Sequence, residues 1–249
     1  MRRITLGPIS CLLYSCAEAL EEISCLIERR TPGQIVTLNA LMYNYALGDG
    51  ALARLVSHAA IVVADSVGIT WAARLINNVS APRTPGIELI LDLCARAATR
   101  HYSVFLLGSR AGVADKAAAQ IQNLFPGIVI AGTHHGFFSA SDEGSLFEAI
   151  RTARPQILLV GLDIPRQEKW IAENLVNLGV PVIIGVGGSF DVISGDLTRA
   201  PRWMQRAGME WLFRFIQQPW RLVRIKDLPI FVAHILMLKF KVTYYANKS

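Results

Sequence analysis

Between Ser103 and Ser189 one phrase recurs: a short unbroken apolar run, a glycine-bearing turn, then residues at helical spacing. SVFLL (103–107) is followed by Gly108-Ser-Arg-Ala-Gly112 and a helix over Val113–Leu124. GIVIA (127–131) leads to Gly132-Thr-His-His-Gly136 and a helix over 142–152. QILLV (156–160) leads to Gly161–Gln167 and a helix through Leu178. A fourth run, Val182–Gly185, ends in Val186-Gly-Gly-Ser. Runs this short and this apolar suit strands buried on both faces, and the intervening helices suit parallel crossovers. The expectation is an α/β fold: a Rossmann-like, mostly parallel sheet with helices on both faces.

The amino-terminal third fits the same scheme. Helical spacing covers Cys16–Arg29, with Leu20, Ile23 and Ile27 apolar. QIVTL (34–38) reads as a strand ending at Asn39. A helix over Ala40–Val56 is interrupted at Gly48-Asp-Gly50, and AIVVA (60–64) is a strand ending at Asp65. Short and longer helices follow over Gly68–Leu75 and Ile87–Arg100. Asn39, Asp65, Gly108, Gly136, Gly161 and Gly187 therefore all fall at carboxyl ends of strands. Ligands of such sheets bind there.

After Asp196 the alternation stops. Residues 199–249 hold ten Lys or Arg against only Glu210 and Asp227, so the net charge of +6 resides in the tail and the body is slightly acidic. The chain divides into residues 1–196, the sheet domain, and 197–249, a basic helical appendage suited to associating with a membrane. Arg199–Arg224 is expected as two helical pieces divided near Pro219, and Leu228–Phe240 as a final apolar helix. Trp203, Trp211, Phe215 and Trp220 among the arginines suit an anionic membrane interface. Nucleic acid fits less well, because these aromatics cluster with Leu, Ile and Val. Leu228–Leu238 is about half the ~20 residues needed to span a bilayer. The first residues, MRRITLGPISC, hold too broken an apolar stretch for a signal peptide. Cys11, Cys16, Cys25 and Cys94 form no CxxC and read as free thiols.

Several residues carry candidate chemistry. Asp65 is either a general base at the sheet mouth or the cap of the helix starting near Gly68. Thr37 and Asn39 either bind a sugar hydroxyl or serve the turn. Arg83 is a phosphate ligand or a solvated loop cation. Gln167, opening a helix, touches a sugar or faces water. Gly108, Gly112, Gly136, Gly187 and Gly188 let backbone N–H groups approach a diphosphate, or simply close tight turns. Asp191 accepts from a base or ribose, or caps Val192–Gly195. Arg214, Arg221 and Arg224, seven and three apart, share a face of any continuous helix, and their guanidinium forks suit a diphosphate. There is no D-x-D carboxylate pair for a metal–nucleotide complex, no P-loop, no G-x-S-x-G and no G-x-G-x-x-G. His134-His135 lacks further ligands at metal spacing.

From Thr37 to Pro229 the chain resembles the WecG/TagA/CpsF family of bacterial glycosyltransferases. The stretches that carry the resemblance are TLN (37–39), ADSVGI (64–69), RTPGIEL (83–89), GTHHGFF (132–138), GLDIPRQEKW (161–170) and the long GVGGSFDVISGDLTRAPRWMQRAGMEWLFRFIQQPWRL (185–222). The resemblance implies inverting, metal-independent transfer of a hexose or N-acetylhexosamine-type sugar. The donor would be a UDP-sugar and the acceptor a polyprenyl-diphosphate-linked sugar, in cell-surface polysaccharide or teichoic acid synthesis. No cofactor is implied. It places the protein peripherally on the cytoplasmic face of the bacterial inner membrane, and a homo-oligomer is compatible with it. In this reading Asp65 is the base. Thr37, Asn39, Arg83 and Gln167 are the polar site positions, and Arg214, Arg221 and Arg224 hold the diphosphate. Gly108, Gly136, Gly187 and Asp191 fall in the nucleotide region. The chain departs from the family at Ser66, at Asp163-Ile164 and at Thr84-Pro85. The departures around Ser66 and Asp163 motivate an alternative, a non-catalytic binder of nucleotide-sugars or lipid diphosphates on the same fold.

Overall fold

A computed structural model describes residues 1–139, 141–219 and 226–246, without the side chains of Arg206 and 242–246. Eight strands form one sheet: β1 (Arg2–Leu6), β2 (Ile9–Tyr14), β3 (Gly33–Leu38), β4 (Ile61–Ala64), β5 (Ser103–Gly108), β6 (Val129–His134), β7 (Ile157–Gly161) and β8 (Val182–Gly185). Their order across the sheet is β1-β2-β4-β3-β8-β7-β5-β6. All neighbours are parallel except the β1–β2 hairpin. The expected α/β architecture is therefore present. The hairpin was not anticipated, although its burial alternates as a one-sided antiparallel pair should.

The helices are α1 (Cys16–Arg29), α2 (Ala40–Gly48), α3 (Gly50–His58), α4 (Val67–Asn77), α5 (Gly86–Arg100), α6 (Val113–Leu124), α7 (Glu143–Ala153), α8 (Arg166–Leu178), α9 (Ser189–Ile193), α10 (Arg202–Arg206), α11 (Glu210–Gln217) and α12 (Asp227–Ala246). Successive strand residues point to opposite faces. Ile35, Ile61 and Val63 pack under α1 and α5. Val36, Leu38, Val62 and Ala64 pack with α2, α3 and α4, and Phe105, Leu107, Leu158 and Val160 pack with α7 and α8. β4, β7 and β8, buried on both sides, have no polar positions, which is why their sequence runs are unbroken.

Two boundaries differ from the expected ones. β6 starts at Val129 and runs to His134, because Gly127 (φ +94°) holds a left-handed turn that no strand can include. In the tail α11 ends at Gln217, just before Pro219 as expected, and a further break falls at Ala207–Met209. Gly208 there has φ +70°, and a Cβ on it would meet Val67 Cγ2 at 2.6 Å.

The final helix is built into the body. Phe231 and Ile235 are fully buried in the same cluster as Ile4, Leu6, Ile9, Met42 and Tyr43. Asn44 Nδ2 donates to the Asp227 carbonyl at 2.5 Å, and Tyr43 Oη lies 2.9 Å from His234 Nδ1. The Gly7 turn of the hairpin faces the same helix. A Cβ on Gly7 would stand 3.5 Å from His234 Cε1 and 3.6 Å from Leu238 Cδ1. Among the described residues no helix is long and apolar enough to cross a membrane.

Candidate active site

At the centre of the sheet β3 and β8 are neighbours, but the chain leaves them toward opposite faces. After β3 it enters α2 on one face, and after β8 it enters α9, whose Phe190 is buried on the other. Such a divergence opens a crevice at the carboxyl ends. A cleft of ≈ 600 Å³ lies there, floored by the ends of β4, β3, β8 and β7 and walled by α4, α11 and α12. That is large enough for a sugar nucleotide's reactive end.

Asp65 stands at the end of β4. Its backbone N–H bonds the Leu38 carbonyl at 2.9 Å, so its position is fixed by the β3–β4 ladder. Its carboxylate does not cap α4: the preceding cap residue is Ser66, which makes no side-chain cap bond. Instead Oδ1 accepts from the Gly86 N–H at 2.7 Å, the first residue of α5. Thr37 converges on the same spot, since a Cβ on Gly86 would lie 3.3 Å from Thr37 Cγ2 and 3.5 Å from Asp65 Oδ1. Burial pushes the Asp65 carboxyl up from the ordinary range. The Gly86 N–H and the charges of Arg214 and Arg83 oppose that push without cancelling it. A carboxylate with raised pKa is a stronger base than a solvated one.

Arg83 is no solvated cation. Nε donates to the Asp65 carbonyl at 3.1 Å, Nη1 donates to the Gln205 carbonyl at 2.9 Å, and Nη2 pairs with Glu210. One side chain thus ties the backbone of Asp65 to both short helices of the tail. Glu210, one of only two acids in that tail, was passed over in the sequence. A lone acid in a basic segment was the available signal. Asn39 caps α2, its Oδ1 accepting from Met42 N–H at 3.0 Å, and Thr37 Oγ1 donates to the Gly185 carbonyl at 3.3 Å. Both also line the cleft.

Gln167 neither faces water nor stands free. It is buried, with Oε1 accepting from Gly187 N–H at 2.8 Å and Nε2 donating to Glu168 Oε1 at 2.6 Å. Arg214, on α11, donates to the Gly188 carbonyl at 3.4 Å. A Cβ on Gly188 would lie 3.5 Å from Asp191 Oδ2 and 3.8 Å from Arg214 Nη1, so both side chains approach this turn.

Gly187 lines the cleft, but Gly108 and Gly136 do not. Gly108 (φ +146°) lies so close to β7 that a Cβ would sit 2.3 Å from the Gly161 carbonyl oxygen. At Gly136 a Cβ would sit 2.7 Å from Leu162 Cδ2. Close backbone packing accounts for both. Arg221 and Arg224 lie outside the described residues. The cleft is also lined by the apolar Trp71, Trp211, Phe215, Leu228, Phe231 and Val232; the sequence had pointed Trp211 and Phe215 to a membrane interface and given none of the six a place in the cleft. Among the described residues no three His, Cys, Asp or Glu side chains gather as a metal would need.

A second, more open depression of ≈ 520 Å³ lies between α8 and the segment before α7. It holds none of the residues singled out in the sequence. Several of its side chains are engaged: Trp170 Nε1 donates to Glu143 at 2.6 Å, Lys169 pairs with Asp49 at 2.6 Å, and Arg166 lies over the Phe138 ring.

Comparison with known proteins shows the family. A family model described as the glycosyl transferase WecG/TagA/CpsF family matches residues 4–244. The chain is 35% identical over 208 residues to the N-acetylglucosaminyldiphosphoundecaprenol N-acetyl-beta-D-mannosaminyltransferase of Staphylococcus aureus strain MW2, covering 84% of this chain and 81% of that protein. Proteins of the same name from strains NCTC 8325 / PS 47 and COL match to the same extent.

Proposed function

The chain belongs to the WecG/TagA/CpsF family of glycosyltransferases, and from that premise we propose that it moves a sugar from a UDP-sugar to a polyprenyl-diphosphate-linked sugar with inversion. The acceptor class follows the names of the relatives, which act on an N-acetylglucosaminyl-diphosphoundecaprenol. The observation that carries the reading is the Asp65 carboxylate. It lies at the mouth of the central crevice, held by Gly86 N–H and made more basic by burial.

In the proposed step the acceptor hydroxyl loses its proton to Asp65 as its oxygen attacks the anomeric carbon. The carbon–oxygen bond to UDP breaks, and the electron pair leaves on the β-phosphate oxygen. Attack from the face opposite UDP inverts the centre. Arg214, beside the Gly187–Gly188 turn, offsets the charge that develops on the departing diphosphate, and Arg221 and Arg224 are assigned the same task. Thr37 and Asn39 hold the sugar, Gln167 supports the Gly187–Gly188 turn, and Arg83 holds Asp65 and the tail in register. Asp191 and Gly187 contribute to the nucleotide end. Residues 1–196 serve the donor and 197–249 the acceptor and membrane, a division of labour rather than of packing.

The test is a panel of UDP-sugars offered with a short-chain polyprenyl-diphosphate sugar. One donor is expected to yield a disaccharide lipid of inverted anomeric configuration, read by mass spectrometry and NMR. No product with any UDP-sugar, but product with another nucleotide-sugar, would defeat the donor assignment. A retained configuration would defeat the mechanism.

We place the protein on the cytoplasmic face of the inner membrane. Trp203 (62% exposed), Ile216 (67%) and Phe240 (74%) are large apolar side chains left in water, in a segment also carrying Lys226, Lys239 and Lys241. Burying one such side chain is worth about 1.5–3 kcal/mol. Replacing all three by Ser is therefore expected to lower binding to anionic vesicles by at least roughly a hundredfold. Unchanged flotation of that variant would rule out this face as the membrane contact.

A further inference from the structure

Glu168 is the one carboxyl side chain among the described residues that is almost wholly removed from solvent, at 2% exposure. It follows Gln167 in the first turn of α8, where the helix crosses the ends of β3 and β8. Gln34 Nε2 donates to its backbone carbonyl at 3.1 Å. Its side-chain Oε1 accepts from Gln167 Nε2 at 2.6 Å, and its Oε2 is buried without a hydrogen-bond partner. A buried acceptor left unmet is costly, and an apolar side chain of similar size would fill the space without that cost. What a carboxyl group adds here is a hydrogen-bond acceptor aimed at Gln167.

The two ends of the Gln167 amide are told apart by their neighbours. Gly187 N–H can only donate, so the amide atom 2.8 Å from it is the oxygen. The NH2 end then points at Glu168, which accepts. Gly185 makes room for this arrangement, because a Cβ there would stand 2.2 Å from Gln167 Nε2. Gly187 is held at φ +50°, and the next carbonyl, of Gly188, receives Arg214.

We propose that Glu168 is a positioning residue for the transfer: by accepting from Gln167 it fixes that amide, the Gly187–Gly188 turn and the seat of Arg214. The inference rests on the function proposed above, in which this turn faces the departing diphosphate. Glu168 touches no reacting atom and acts through Gln167.

The experiment compares Glu168→Leu and Glu168→Gln in the full chain. The readouts are hydrogen–deuterium exchange over residues 185–189, thermal unfolding, and kcat with KM for each substrate. With Leu the bond to Gln167 is gone. Exchange at Gly187 is expected to rise, with kcat falling roughly ten- to a hundredfold. The donor KM is expected to increase and the acceptor KM to stay at the wild-type value. With Gln the amide oxygen accepts the same bond, and most of the lost activity returns. If Leu does not fold, Glu168→Met fills the same space with an unbranched chain and carries the same expectation.

Wild-type exchange and kinetics in the Leu or Met variant would overturn the proposal. So would a Gln variant as inactive as Leu, because that assigns the role to charge. Exchange is read without turnover. A wild-type protein that fails the UDP-sugar panel sinks the functional reading alone, whereas an active wild type with an unaffected Leu variant sinks this inference alone.

Discussion

Asp65→Asn is expected to lower kcat by about 10²–10⁴-fold, the usual contribution of a general base, while UDP still binds. Asn is nearly isosteric, and its amide oxygen can keep the 2.7 Å bond from Gly86 N–H. The scaffold of the crevice therefore survives and only the proton acceptor is removed. Stopped turnover with intact UDP titration is the expected pair of results. Wild-type kcat would remove Asp65 from the role of base.

Two pH effects follow from the same side chain. The base must be ionised, so activity falls as pH drops through a folded pKa held above the ordinary aspartate range by burial. Stability has the opposite sense. The folded chain binds this proton more tightly than the unfolded chain does. Ionisation therefore lowers stability as pH rises from the unfolded value through the folded one. Asn carries no such charge, so the inactive variant is expected to melt above the wild type at neutral pH. A lower Tm at neutral pH would mean that Gly86, Arg83 and Arg214 more than offset the burial.

Phe231→Ala is expected to destabilise the protein by about 3–5 kcal/mol, the range for deleting a buried aromatic ring. The ring is fully buried, edge-on to Tyr43 at 5.3 Å and tilted against Trp71 at 6.5 Å. It also fills the space beside Gly68, whose missing Cβ would lie 3.0 Å from Phe231 Cε1. Little can collapse into the void, because the sheet, α2 and α4 surround it. Phe231→Leu is expected to retain more than half of the lost stability. Chemical denaturation measures both. A cost below about 1 kcal/mol would mean that α12 is only loosely laid on the body.

How far these features were legible in the sequence depended on how local their causes are. The buried strands announced themselves, since a strand covered on both faces has few polar positions, and Asp65 and Asn39 were found as polar residues just past the ends of such runs. The hairpin escaped because Arg2, Arg3 and the Gly7-Pro8 turn break its short alternation. Two partners of Arg83, Gln205 and Glu210, are more than a hundred positions away, and no local pattern joins them to it. Leu228–Leu238 is apolar on nearly every side, so its composition could not say that Phe231 and Ile235 face a core while Ile230 and Met237 face outward. Gln167 was singled out, but nothing in the local sequence marks its neighbour Glu168 as buried.

The meeting of the Gly7 turn with α12 also has a bearing on biosynthesis. The face of the sheet under α1, α5 and α6 has all its parts once Phe190 has been made. The opposite face holds Ile4, Leu6 and Ile9 from the outset, yet must wait for nearly the whole chain before Phe231 and Ile235 arrive to cover it. A nascent protein halted between those points would carry one sealed face and one open apolar one, the state most prone to association with other chains. The helix that ends the exposure, α12, also brings Leu228, Phe231 and Val232 to the cleft.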